Sequence, residues 1–216
     1  MSLDAVLARI DANLDASTER LMALLRIPSI STDPEYDQPV KDAAEWLCAE
    51  LNGLGFNASV RPTNGHPMVV AHGGESGPHV LFYGHYDVQP VDPIELWSRD
   101  PFDPAIEETP KGKVIRARGA SDDKGQLMTF IEACRAYREE TGSLPAKLTI
   151  FLEGEEESGS PSLIPFLKDN AEELTAEVAL ICDTGLFGEE TPAIVTQLRG
   201  LLGEEITITG PSLDLH

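Results

Sequence analysis

Positive charge is scarce in this chain. There are 16 lysines and arginines against 37 aspartates and glutamates, a formal net charge of −21. A polyanion would be repelled over most of such a surface, so neither nucleic acid nor an anionic membrane is an expected partner. Cysteine is scarce too. Cys48, Cys134 and Cys182 are an odd set in apolar surroundings, which argues against a disulfide framework and for core residues in a reducing compartment. No apolar run approaches the ~20 residues of a membrane span. The first residues carry Asp4 and Asp11 and lack the basic region and apolar stretch of a secretory signal. A cytoplasmic location is the resulting expectation. No internal repeat is visible. What is present suffices for a core: 41% of the 216 residues are hydrophobic, enough for one globular domain and part of a second.

Periodicity organises the chain. Leu3, Val6, Leu7, Ile10 and Leu14, then Leu21, Leu24 and Leu25, recur at helical spacing. Residues 27–31 break that pattern, and Val40 to Leu54 restores it until Gly53 and Gly55 end it. Short strand-like runs follow at Phe56 to Arg61, Met68 to Ala71, His79 to Tyr83, Lys113 to Ala117, Lys147 to Leu152 and Glu177 to Cys182. Between them, Lys124 to Glu139 is a strong amphipathic helix through Leu127, Phe130, Ile131, Cys134 and Tyr137, and Ser162 to Asn170 a shorter one. Strands alternating with helices predict an α/β fold, three layers with a mostly parallel, helix-covered sheet. Ala193 to Gln197 and Gly200 to Thr209 read as β-rich runs of a new unit, expected to be unfinished at His216.

Four short segments carry the residue types of a two-metal hydrolase: His85 with Asp87, then Asp122, then Glu156 with Glu157, then Asp183, each expected just past a strand. One imidazole and several carboxylates arriving at strand ends are what a pair of zinc-like ions needs. Each segment also has a plainer reading. His85 and Asp87 project to one side if the strand continues, yet His-x-Asp also occurs at ordinary polar strand ends. Ser121, Asp122 and Asp123 stand where the long helix begins, and capping needs one of them; a carboxylate held there can instead bridge two ions ~3.5–4 Å apart. Glu155-Glu156-Glu157 fits a solvated turn, or a pair in which one acid ligates while another takes a proton from bound water. Asp183 ends an apolar strand or opens a turn with Thr184-Gly185. The joint pattern weighs more, because open α/β sheets bind ligands outside the carboxyl ends of their strands. Several carboxylates crowded there without cations would repel one another.

Four motifs have a specific wording: Gly84-His85-Tyr86-Asp87-Val88-Gln89-Pro90, Trp97 with Asp100-Pro101-Phe102, Arg118-Gly119-Ala120-Ser121-Asp122-Asp123-Lys124-Gly125, and Glu153-Gly154-Glu155-Glu156-Glu157-Ser158-Gly159-Ser160. They resemble the zinc-dependent dipeptidase, carboxypeptidase and deacylase family that includes carnosinase, acetylornithine deacetylase and succinyl-diaminopimelate desuccinylase, and most of all its carnosinase-like dipeptidases. The resemblance implies a zinc-exopeptidase-like fold in which His85, Asp122 and Asp183 hold one ion. Asp122 would bridge to a second ion held by Glu157. Glu156 would be the general base, and Asp87 would orient His85. Two divalent ions are implied, and such mixed donors suit zinc while accepting manganese or cobalt.

The implied function is a di-metal exopeptidase that hydrolyses dipeptides or short peptides through a metal-activated bridging water. An N-acyl amino-acid deacylase and a catalytically silent metal-binding module are the alternatives. Leu198-Arg199-Gly200 resembles the family's entry into an α+β lid, so a catalytic domain over 1–198 and the beginning of a lid and dimerisation domain over 199–216 are expected, with a homodimer as the full-length form. Asp214-Leu215-His216 resembles the start of a lid motif whose histidine stabilises the oxyanion in a neighbouring subunit. Family members continue with a second half that holds a late histidine of the second metal site, so the 216 residues are expected to be truncated and inactive or nearly so. His66, His72 and His79 are expected to be surface or internally satisfied histidines.

Overall fold

The computed structural model describes residues 3–110, 112–188, 191 and 193–213. Helices α1 (Leu3–Ala12), α2 (Leu14–Leu25) and α3 (Asp37–Gly53) come first, then strands β1 (Asn57–Arg61), β2 (Met68–Gly73) and β3 (His79–His85). A ribbon of β4 (Ala105–Thr109) and β5 (Gly112–Arg116) leads to α4 (Lys124–Thr141), β6 (Lys147–Glu153), α5 (Leu163–Asp169), α6 (Ala171–Leu174) and β7 (Val178–Ile181). The chain divides into two units, Met1–Asp183 and Thr184–His216.

The main sheet has five strands in the order β1-β2-β6-β3-β7. β6, β3 and β7 run parallel, whereas β1 pairs with β2, and β2 with β6, antiparallel. The predicted mostly parallel sheet therefore holds for one half. The other half is reversed because the few residues between β1 and β2 permit a hairpin, while parallel neighbours need a long crossover. Those crossovers are the ribbon with α4, and the α5–α6 pair.

Both faces are covered, as the α/β reading requires. Along β6, Leu148, Ile150 and Leu152 join the larger core with Leu47 and Leu51 of α3 and Leu127 and Ile131 of α4. Phe151 points the other way, into a second core with Met68, Val70 and Leu174 against α5 and α6. This alternation is the period-two geometry of a strand buried on both sides. In α3 the buried Val40, Ala43, Ala44, Leu47 and Leu51 recur at three- and four-residue steps, the stripe that turns one helix face to a sheet. α4 stops at Gly142, whose left-handed φ of 75° lets its N–H return to the Arg138 carbonyl.

Two expectations change. Lys113 to Ala117 is indeed a strand, but it pairs with β4 outside the main sheet; β4 escaped notice because Ala105–Thr109 holds a single large apolar residue, Ile106, itself half exposed. Residues 193–197 and 200–209, read as β-rich, form no strand. Their apolar side chains, Ile194, Leu201, Leu202, Ile206 and Ile208 among them, are exposed, and β-type composition yields strands only where a partner surface receives it. No helix among the described residues is long and apolar enough to cross a membrane. Cys134 lies in the larger core with Cys48 and Cys182 packed against it, and all three are free thiols.

Lys124 locks the start of α4 in place. Its side chain is fully buried, and Nζ donates to the carbonyls of Leu24, in the last turn of α2, at 3.2 Å and of Ile27, just beyond it, at 2.7 Å. Burial pulls its pKa down to about 7. The helix entry that carries Asp122 is thereby tied to the N-terminal helices.

Candidate metal centre

β6, β3 and β7 are parallel neighbours and end along one edge of the sheet. His85 is the last residue of β3 and lies opposite Glu153 of β6. Asp183 stands two residues past β7, and Glu156 and Glu157 lie in a short 3-10 turn after β6. Asp122 arrives differently. It lies between the β4–β5 ribbon and α4, so three of the four segments follow sheet strands and the fourth comes from the side.

His85 is wholly buried. Its backbone N–H donates to Asp123 Oδ2 at 3.1 Å. Nδ1 lies 3.1 Å from the Asp87 carbonyl oxygen and 3.4 Å from Asp87 Oδ1, two acceptors that keep a proton on Nδ1. Nε2 is thereby aimed at two carboxylates, Asp122 Oδ1 at 3.1 Å and Asp183 Oδ2 at 3.9 Å. Ligand atoms of His85, Asp122 and Asp183 all lie within 4.8 Å of one another. Donors on a tetrahedron with ~2.1 Å bonds are ~3.4 Å apart, a value that the 3.1 and 3.9 Å separations about Nε2 bracket, so the group fits one divalent ion.

The field agrees with the geometry. Burial disfavours a charged His85, but the hydrogen bond and charge of Asp87, with Asp123 and Glu156, prevail and push its pKa up to about 10. This pocket draws positive charge into itself. The carboxyls of Glu156 and Glu157 are both raised, first by burial and then by neighbouring acids, Asp183, Asp87 and Asp122 for Glu156, and Asp122 and Glu156 for Glu157. A cation placed among these groups would relieve that crowding.

Asp87 touches more than His85. It is fully buried, and its Oδ1 accepts the Glu156 N–H at 3.2 Å while Oδ2 accepts the Glu157 N–H at 3.0 Å and the Ser31 hydroxyl at 2.6 Å. One carboxylate thus holds both the imidazole and the turn that carries the two glutamates. Glu157 itself is tethered by the side-chain amide of Gln89, and it stands outside the three-residue donor group.

Some plainer readings fall away. Asp123 occupies the cap position of α4 yet makes no side-chain cap bond, its carboxylate being turned to His85 instead. Of the acidic run, Glu155 is the structural member: its two oxygens accept the N–H groups of His66 at 2.7 Å and Ser162 at 2.9 Å. His66, His72 and His79 are satisfied by Ser31, Thr149 and Glu173. His216 lies outside the described residues.

Residues 81–209, a span that includes His85, Asp122, Glu156, Glu157 and Asp183, match the peptidase family M20/M25/M40. The chain belongs to that family. This M20 chain is 35% identical over 230 residues to the Cys-Gly metallodipeptidase of Schizosaccharomyces pombe, a match covering 100% of this chain and 48% of that protein. Its fold superimposes on the dipeptidase Dug1p of Saccharomyces cerevisiae with a TM-score of 0.77 at 29% identity, over 87% of this chain and 42% of the other. Human carnosine dipeptidase 1 gives a TM-score of 0.76 at 27% identity, over 86% and 41%. The M20 chain therefore spans about half the length of the curated relatives it matches. The resemblance expected from the four motifs is met, and so is the zinc-exopeptidase-like fold.

Sequence reasoning did not assign Ser31, Gln89 or Asp123. Gln89 and Asp123 lay inside quoted motifs, where their spacing to Glu157 and His85 along the chain, 68 and 38 residues, hides the contact. Ser31 had no signal beyond a broken helical pattern.

Proposed function

We propose that the whole protein is a di-metal exopeptidase that hydrolyses dipeptides or short peptides. The observation that carries this reading is the convergence of His85 Nε2 with the Asp122 and Asp183 carboxylates beside two buried-edge glutamates. The names of its relatives, a Cys-Gly metallodipeptidase and a carnosine dipeptidase, support a dipeptide as substrate. Bound divalent ions, zinc first and manganese or cobalt with the same donors, supply Lewis-acid polarisation of the scissile carbonyl and of the attacking water.

The chain's own residues do the rest. His85, Asp122 and Asp183 would hold one ion; Asp122, whose side chain is 61% exposed, and Glu157 would serve a second. Asp87 fixes the tautomer of His85 so that Nε2 faces the ion. Glu156, its carboxyl raised by burial, accepts the proton of the attacking water and returns it to the leaving amine. In the same reading 1–198 is the catalytic domain and 199–216 the start of a lid. His216 serves the oxyanion of a neighbouring subunit in a homodimer, and the enzyme is cytoplasmic. The likeness of Leu198-Arg199-Gly200 and of 214–216 to the lid supports the dimer; three free thiols support the compartment.

A hydrolase panel tests the reaction class. With zinc bound, the whole protein is expected to cleave dipeptides such as cysteinylglycine faster than N-acetyl or N-succinyl amino acids, and the reverse order would make it a deacylase. Zinc titration tests the centre. The 216-residue chain is expected to bind one ion tightly, because one three-donor group is assembled among the described residues while Glu157 is engaged by Gln89. Two tight, fully occupied sites would contradict this account.

A further inference from the structure

Ser31 reaches the metal centre from a distant part of the sequence. Residues 29–31 run beside 86–88: the Val88 N–H donates to the Ser29 carbonyl at 2.9 Å, Ile30 and Val88 form a parallel bridge, and Ser29 Oγ donates to the Tyr86 carbonyl at 2.6 Å. Ser29, Ile30 and Ser31 are all buried. The two hydroxyls have different targets. Ser29 meets backbone, whereas Ser31 Oγ donates at 2.6 Å to Asp87 Oδ2. A hydroxyl that close to a buried carboxylate makes a charge-assisted bond, shorter and stronger than a neutral one. Ser31 is steadied in turn by His66 Nε2, 3.0 Å from its carbonyl oxygen.

We propose that Ser31 is a positioning residue of the metal centre, whose hydroxyl fixes the plane of the Asp87 carboxylate and through it the aim of His85 and the seat of the Glu156–Glu157 turn. The N–H groups of Glu156 and Glu157 engage one Asp87 oxygen each, and both belong to the same short turn, so these two bonds tie the carboxylate to that turn and to nothing else. The Ser31 hydroxyl is a donor from a separate, buried segment, and it holds Oδ2 independently of that turn and so limits rotation of the carboxylate about its Cβ–Cγ bond. The proposal rests on the reading of His85, Asp122 and Asp183 as metal ligands.

The neighbouring serine supplies the control. Zinc affinity of the 216-residue chain is measured by chelator competition, with the cobalt(II) absorption spectrum as a report on ligand geometry. Ser31→Ala is expected to weaken zinc binding about tenfold, as loss of a support behind a ligand does, and to alter the cobalt spectrum. Ser29→Ala loses a fully buried hydroxyl and is expected to lower the melting temperature of the metal-free chain while leaving zinc affinity within about twofold, since that hydroxyl donates to the Tyr86 backbone carbonyl. Ser31→Thr, which keeps the hydroxyl, is expected to restore affinity and spectrum. Equal weakening by the two alanine variants, or wild-type affinity in Ser31→Ala, overturns the proposal alone. A folded Ser31→Thr chain that binds zinc tenfold more weakly overturns it whether or not the alanine chain folds. An unmodified chain that binds no zinc overturns the ligand reading, and the proposal with it.

Discussion

Glu156→Gln in the whole protein is expected to lower kcat by about 10²–10⁴-fold, the range for loss of a general base, with metal content and KM nearly unchanged. The substitution is close to isosteric, so the turn should survive: the Glu156 N–H still meets Asp87 Oδ1, as the bond is made by backbone. What is lost is a group able to accept a proton. The candidate donor group His85, Asp122 and Asp183 does not include Glu156, which is why metal content should hold. Single-turnover rates and metal analysis on the same sample separate the two effects. A drop of less than tenfold with metal fully bound would remove Glu156 from the base role. If the unmodified protein binds its ions yet cleaves no peptide or acyl amino acid, the chain is a metal-binding module and no base exists to remove.

As the proposed base, Glu156 is also expected to set the acid limb of the pH profile. Burial, with Asp183, Asp87 and Asp122 nearby, raises the Glu156 carboxyl above its ordinary value while His85 opposes the rise. A base must be unprotonated to act. Activity is therefore expected to fall, as pH is lowered, at a pH above the usual carboxylate range, and the limb should vanish in Glu156→Gln.

The sequence made the site readable because its donors are joined to strong local signals. His85 ends an apolar strand, Asp183 follows another, and the acidic run follows a third; parallel strands bring such ends to one edge by topology alone. Asp122 joins the candidate donor group by another route than the expected one. It was expected beyond a sheet strand, but β5 belongs to a separate ribbon, and Asp122 is aimed by the entry of α4, with Lys124 anchored two residues on. Contacts made by polar side chains over long separations were not readable. Ser31 and Asp87 are 56 residues apart, and Gln89 and Glu157 are 68 apart; no periodicity or local propensity encodes either pair. The β-rich reading of 193–209 fails for a related reason. Strand propensity states a preference for a half-buried surface, and the described residues there have none to pack on.

Asp87→Asn is expected to cost about 10–100-fold in zinc affinity, the usual effect of losing a support behind a ligand histidine, and about 2–5 kcal/mol in the stability of the metal-free chain. The stability figure follows from the donor count. Asp87 accepts from Ser31 Oγ, Glu156 N and Glu157 N, with His85 Nδ1 close by. An amide offers one oxygen and one NH₂. Whichever way it is turned, the NH₂ faces a backbone N–H, of Glu156 in one orientation and of Glu157 in the other, leaving a buried donor unsatisfied at about 1–3 kcal/mol. The charge that assisted the remaining bonds is also gone, and these are roughly twice as strong as neutral ones. Metal affinity falls for a separate reason: the negative charge beside Nδ1 is gone, so the Nδ1–H is held by the backbone carbonyl of residue 87 alone, and the imidazole becomes a weaker and less firmly aimed donor. Urea unfolding of the metal-free chain measures the first effect and chelator competition the second. His85→Ala divides them, since it should abolish zinc binding while the Asp87 contacts to the Glu156 and Glu157 amides persist. Were Asp87→Asn to lose stability but keep wild-type zinc affinity, Asp87 would hold the turn and have no part in aiming the histidine.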